Sequence, residues 1–111
     1  MSGISTHVLD IAQGRPAAGV AVTLAIRDGD GWTELGTRRT DAHGRAGDLL
    51  PPRAQRPGTY RLRFEIGDYF AARGVAAFYP WVEIVCTLSD EPHYHVPLLV
   101  SPFGYTTYRG S

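Results

Sequence analysis

The 111-residue sequence contains no lysine; all 11 of its basic residues are arginine. A lysine Schiff base, a lysine general base and a phosphate-binding P-loop lysine are therefore excluded. There is one cysteine, Cys86, so no intrachain disulfide can form and no cysteine-built zinc site fits within one chain. Cys86 sits in the apolar run Val82–Leu88, where a buried, unreactive thiol is expected. Neither sign of charge is in excess: 11 arginines face 11 acidic residues, for a formal net charge of +0. A sequence pI near 6.9 leaves no electrostatic footprint for nucleic acid or an anionic membrane. No apolar run approaches the ~18 residues that span a bilayer. The first residues lack the basic and apolar regions of a secretory leader. These absences lead to the expectation of a soluble, cytoplasmic protein made of one domain over residues 1–111.

What is abundant is turn chemistry and alternation. Gly 13 and Pro 8 exceed ordinary usage and favour many turns over a helical bundle. Val20, Val22, Leu24 and Ile26 alternate with smaller or polar residues, and Asp28-Gly29-Asp30-Gly31 reads as a hairpin turn. A strand from about Trp32 to Arg39 ends at the turn Thr40-Asp41-Ala42-His43-Gly44. Pro51-Pro52 and Pro57-Gly58 bracket a loop. Tyr60, Leu62, Phe64 and Ile66 line one face of the next strand. Gly67–Gly74 breaks the alternation, with Asp68 as a start and Gly74 as a stop, and predicts one short helix. Pro80–Leu88, Glu91–Ser101 and Tyr105–Arg109 read as further strands, with another near Ser5–Asp10. Spacing of this kind predicts an all-β fold, an antiparallel β-sandwich with Greek-key features.

Histidine is the natural proton carrier in a chain without lysine. His93 and His95 share one strand face, roughly 6.5–7 Å apart, with Pro97 and Leu99. Tyr94, Val96, Leu98 and Val100 occupy the other face, which reads as the core side. The outward face is apolar enough to suggest a subunit contact or a cleft wall. Three readings of the pair stay open on the residues alone: structural histidines, two metal ligands with His7 as the third, or metal-free acid–base groups. His43 reads as a solvated turn residue. Arg45, just after the turn, offers a planar fork of donors to an anionic or amide-rich ligand, or is simply one surface arginine of eleven. The β-prone run Tyr105–Tyr108 reaches almost to Ser111, which implies a tail tied into the fold.

Three segments carry a family resemblance: Ser5-Thr6-His7-Val8-Leu9-Asp10, Thr40-Asp41-Ala42-His43-Gly44-Arg45, and His93-Tyr94-His95-Val96-Pro97-Leu98-Leu99-Val100-Ser101-Pro102. With the closing Tyr105-Thr106-Thr107-Tyr108-Arg109-Gly110-Ser111, the sequence resembles the 5-hydroxyisourate hydrolases of the transthyretin-like family over essentially its whole length. The Tyr-Arg-Gly-Ser tail separates those hydrolases from transthyretin-type carriers, the alternative reading. The resemblance implies a β-sandwich of two four-stranded sheets with one short helix. It also implies a homotetramer, a dimer of dimers, with sites in the channel between dimers. The implied catalytic residues are His7, Arg45, His95 and Ser111, the last by its hydroxyl or a terminal carboxylate. His7, Arg45 and Tyr108 are implied to bind substrate. The implied reaction opens 5-hydroxyisourate by hydrolysing a cyclic amide, with no metal or organic cofactor.

Overall fold

Alternation becomes strand wherever one face has a core to meet. In the computed structural model, which describes residues 3–50 and 54–111, the elements follow in order. They are β1 (Gly3–Asp10), β2 (Arg15–Pro16), β3 (Ala21–Asp28), β4 (Gly31–Arg39), β5 (Arg45–Ala46), β6 (Gly58–Phe64), α1 (Ile66–Ala71), β7 (Val82–Leu88), β8 (His93–Ser101) and β9 (Gly104–Thr107). One sheet has the order β4-β3-β6-β7; the other runs β2-β1-β8-β9, with the two-residue β5 also paired to β1. The sheets share one core, to which Leu24, Leu62 and Phe64 come from the first and Ile4, Val8, Leu98 and Val100 from the second. The all-β sandwich with one short helix is thus the observed architecture.

Five details differ from the sequence expectation. One sheet has five strands instead of four, because the two-residue β5 joins the free part of the β1 edge. The sandwich is not wholly antiparallel, because β1 and β8 run parallel over eight partnered positions, Gly3↔His93 to Asp10↔Val100. Alternation reports which face a residue occupies and is silent about strand direction. Ile66 opens the helix instead of closing the strand, and Asp68 lies in its first turn without capping it. Ile66 is buried in either reading, so its hydrophobicity could not separate them. The last strand stops at Thr107, short of Arg109, and Cys86 is half-buried. The Pro51-Pro52 part of the expected loop lies outside the described residues.

Two polar contacts fix the ends of β1 and its neighbours. Asp10 is buried; its Oδ1 accepts from the Ala12 and Gln13 backbone N–H groups, and its Oδ2 accepts from the Tyr69 hydroxyl at 2.9 Å. A buried carboxylate needs such donors, and here they tie the start of the sandwich to α1. Thr40, also buried, accepts from Val20 N and donates to the Ala17 carbonyl, closing the chain over the β3–β4 hairpin. Tyr69→Phe removes one of the Asp10 donors without opening much space. It should lower the unfolding free energy by about 1–2 kcal/mol, read by urea denaturation. An unchanged midpoint would show that Asp10 does not depend on the helix.

Candidate active site

The parallel ladder decides which side chains meet. Ser5 lies opposite His95 and Gly3 opposite His93, while His7 pairs across the other edge of β1 with Arg45 of β5. Partnered residues share a face, and so do residues two apart on a strand. Ser5, His7, Arg45, His93 and His95 therefore gather on the outer face of this sheet, with Tyr94, Val96 and Leu98 buried beneath.

Arg45 is aimed by the turn before it. Asp41 Oδ1 accepts from His43 N at 2.8 Å and Arg45 N at 3.0 Å, and these two donors hold its carboxyl below the usual carboxylate range. Gly44 has φ +77°, and a Cβ there would stand 2.4 Å from the Val8 carbonyl oxygen, so only glycine lets the turn lie against β1. Among the described residues no carboxylate lies within ion-pair distance of the Arg45 guanidinium. Its charge is left for a ligand.

Hydrogen bonds set the histidine rings. His7 Nε2 donates to the His43 carbonyl at 2.8 Å; a carbonyl only accepts, so Nε2 carries a proton and neutral His7 keeps a bare Nδ1. His95 Nδ1 lies 2.9 Å from Ser5 Oγ, and His93 Nε2 lies 3.0 Å from the same oxygen. Burial, with the charges of Arg45, His7 and His93 adding to it, pushes the His95 pKa below its ordinary value. His95 is thus neutral at pH 7, with its Nε2 lacking a protein partner among the described residues.

The tail reaches this face. Gly110 N donates to the His95 carbonyl at 2.8 Å, and Thr107 Oγ1 donates to the Pro97 carbonyl at 2.7 Å. A Cβ on Gly110 would stand 2.6 Å from His95 Cδ2, so the backbone passes against the imidazole itself. This also buries Pro97, which the sequence reading left facing outward. Ser111 then joins Ser5, Arg45, His93 and His95 around a cavity of about 240 Å³.

Of the residues expected from sequence, Arg45, His95 and Ser111 line one cavity, and His7 flanks it through its pairing with Arg45. Tyr108 is not in that group. It is exposed and lines a neighbouring cavity of about 230 Å³ with Ile84, Cys86, Tyr94 and Thr107, to which His95 also contributes. Ser5 was missed as a site residue. Its signal was its place two residues before His7, but its partner is visible only once β1 is known to lie parallel to β8. Among the described residues no three His, Cys, Asp or Glu side chains come together as a metal-ligand set. No helix among them is long and apolar enough to cross a membrane.

A cavity lined by two imidazoles, a guanidinium and two serines thus lies on the outer face of one sheet of a transthyretin-like β-sandwich. Transthyretin from Sparus aurata superposes with a TM-score of 0.94 at 33% identity, covering 99% of this chain and 97% of that one. A 5-hydroxyisourate hydrolase from Klebsiella pneumoniae superposes at 0.83 with 37% identity, covering 97% and 98%. The chain belongs to the HIUase/Transthyretin family, whose model matches residues 4–110. It is 48% identical over 116 residues to a 5-hydroxyisourate hydrolase of Caulobacter vibrioides, covering 100% of both chains. It is 47% identical over 113 residues to one of Mus musculus, covering 99% of this chain and 96% of that one.

Gly110→Ala should displace the His95 ring or lift the tail from it, while changing global stability by less than about 1 kcal/mol, because the tail lies outside the core. A crystal structure of the variant with denaturation in parallel checks this. An unmoved ring and tail would show that the contact does not need glycine.

Proposed function

We propose that this protein hydrolyses 5-hydroxyisourate, opening its six-membered ring at the cyclic amide to give 2-oxo-4-hydroxy-4-carboxy-5-ureidoimidazoline. The observation that carries this reading is a neutral His95, held through Nδ1, beside an Arg45 that has no carboxylate partner among the described residues. The hydrolase names of the relatives at 47–48% identity support the same substrate.

The chemistry follows from the protonation states. His95 Nε2 takes a proton from water as the oxygen bonds to the amide carbon. Arg45 donates to the carbonyl oxygen, where negative charge develops. His7, with Nδ1 bare, accepts an N–H of the substrate and fixes its orientation. As the C–N bond breaks, the proton on His95 Nε2 passes to the leaving nitrogen, restoring the neutral base. Ser111 closes the cavity and orients the water. It is not assigned as a nucleophile, since no carboxylate-backed histidine stands beside it to activate it. No step calls on a metal or an organic cofactor.

The proposed assembly is a homotetramer, a dimer of dimers, with the cavity facing a channel between dimers. In support, no strand among the described residues pairs with the outer edges of β7 and β9, and the exposed side chains Val85, Tyr105 and Tyr108 lie on or beside them. Tyr108 would then act at substrate from its own cavity, where His95 is shared. A cytoplasmic setting is in keeping with the single free thiol. The competing reading is a carrier. A sea bream transthyretin in complex with thyroxine superposes at a TM-score of 0.91 with 34% identity, covering 96% of this chain and 93% of that one.

Purified protein should speed the loss of the 5-hydroxyisourate ultraviolet band far beyond spontaneous decay. His95→Ala should cut kcat/KM by at least about 100-fold, within the range for loss of an acid–base group. The base must be neutral to work and its pKa is lowered, so the midpoint of the acid limb of kcat/KM should lie below the ordinary histidine value of about 6.5. No acceleration by the wild type would leave the carrier reading, and an acid limb at or above about pH 6.5 would contradict His95 as the base.

A further inference from the structure

Ser5 Oγ stands between two imidazole nitrogens, 2.9 Å from His95 Nδ1 and 3.0 Å from His93 Nε2. A hydroxyl has one proton and can donate to only one of them, so it must accept from the other. The two rings are thus coupled: a proton placed on one fixes which way Ser5 points and which nitrogen of the other is bare. His93 has no part in the chemistry described above, and its Nδ1 is buried without a partner among the described residues. A histidine whose accessible nitrogen is committed to Ser5 serves that serine.

Resting on the hydrolase reading, we propose that Ser5 and His93 are positioning residues that carry charge away from His95 during turnover. At rest His95 Nδ1–H donates to Ser5 Oγ, and the Ser5 hydroxyl donates to the bare His93 Nε2. When His95 Nε2 takes a proton from water, Nδ1–H passes to Ser5 Oγ as the hydroxyl proton passes to His93 Nε2. His95 is then neutral with Nε2–H ready for the leaving nitrogen, and His93 is the imidazolium. Delivery of that proton reverses the transfers, and no proton is gained or lost over the cycle. The direction makes electrostatic sense. The charges that lower the His95 pKa come from Arg45 of β5, His7 of β1 and His93 on its own strand, while Cys86, Tyr108, Arg109 and Ser111 also line cavities that His95 shares. Arg45 is level with His7, His95 is level with Ser5, and His93 is level with Gly3, two positions further along β1. Moving the charge to His93 takes it away from Arg45.

Ser5→Ala breaks the relay, and His93→Gln keeps a hydrogen-bonding partner for Ser5 but cannot take the proton. Each should lower kcat at least about 10-fold with KM unchanged. Each should also move the acid limb to lower pH, because His95 alone is harder to protonate beside Arg45. The same displacement should appear in the His95 ring titration followed by NMR without substrate. The double variant should be no slower than either single one, the mark of a shared path, and Ser5→Thr should recover much of the rate. Wild-type kcat and an unmoved limb would overturn the proposal. So would a fall in kcat with the limb and NMR titration unmoved, or additive losses, since Ser5 would then act by packing alone. If Ser5→Ala does not fold, His93→Gln decides by the same readouts. A wild-type protein without activity would instead remove the hydrolase reading, leaving the NMR titration to test the Ser5 coupling.

Discussion

The parallel pairing of β1 with β8 is the constraint on which the site depends. It sets Ser5 level with His95 and within reach of His93. A slip of one residue would turn Ser5 and His7 into the core and bring Ile4 and Val8 out to the surface. Burial of Ile4, Val8, Leu98 and Val100 therefore holds the imidazoles in register, and the same hydrophobic term that stabilises the sandwich fixes the geometry of the site. The other edge of β1 is used in turn by β5 and β2, so one strand carries both the histidine face and the arginine that completes it.

Electrostatics then divides the work between residue types. With no lysine in the chain, fixed positive charge at the site is arginine, and titrating groups are histidine. Among the described residues no carboxylate pairs with Arg45, which favours an anionic or polarised carbonyl ligand and disfavours a second cation beside it. His95 is held neutral by that arrangement, the state a base requires. Backbone and hydroxyl partners settle the rest: the His43 carbonyl fixes the His7 tautomer, and Ser5 occupies His95 Nδ1. The tail adds a wall, and Gly110 is small because it lies against an imidazole.

Much of this was legible in the residues. The core face of β8, the turn that aims Arg45 and the outward placement of His93 and His95 all follow from period-two alternation and turn chemistry. The family was readable from motifs over the whole length, in agreement with the match over residues 4–110. Strand direction was not legible, because parallel and antiparallel neighbours alternate alike, and with it went the role of Ser5. The entry of Ile66 into the helix was hidden because both alternatives bury it. Tyr108 was placed with the other site residues by resemblance; in one chain it lies in the next cavity, which shares His95 with theirs. Backbone shape is equally uninformative about chemistry, since transthyretins and hydrolases both superpose closely on this chain.

The fold sets the protonation states of His7 and His95 through the hydrogen bonds around their rings. The most direct test is the ¹⁵N chemical shifts of the histidine ring nitrogens in the free protein at pH 7. The shifts should show a neutral His95 and a His7 protonated at Nε2. A cationic His95, or a His7 with its proton on Nδ1 alone, would contradict it.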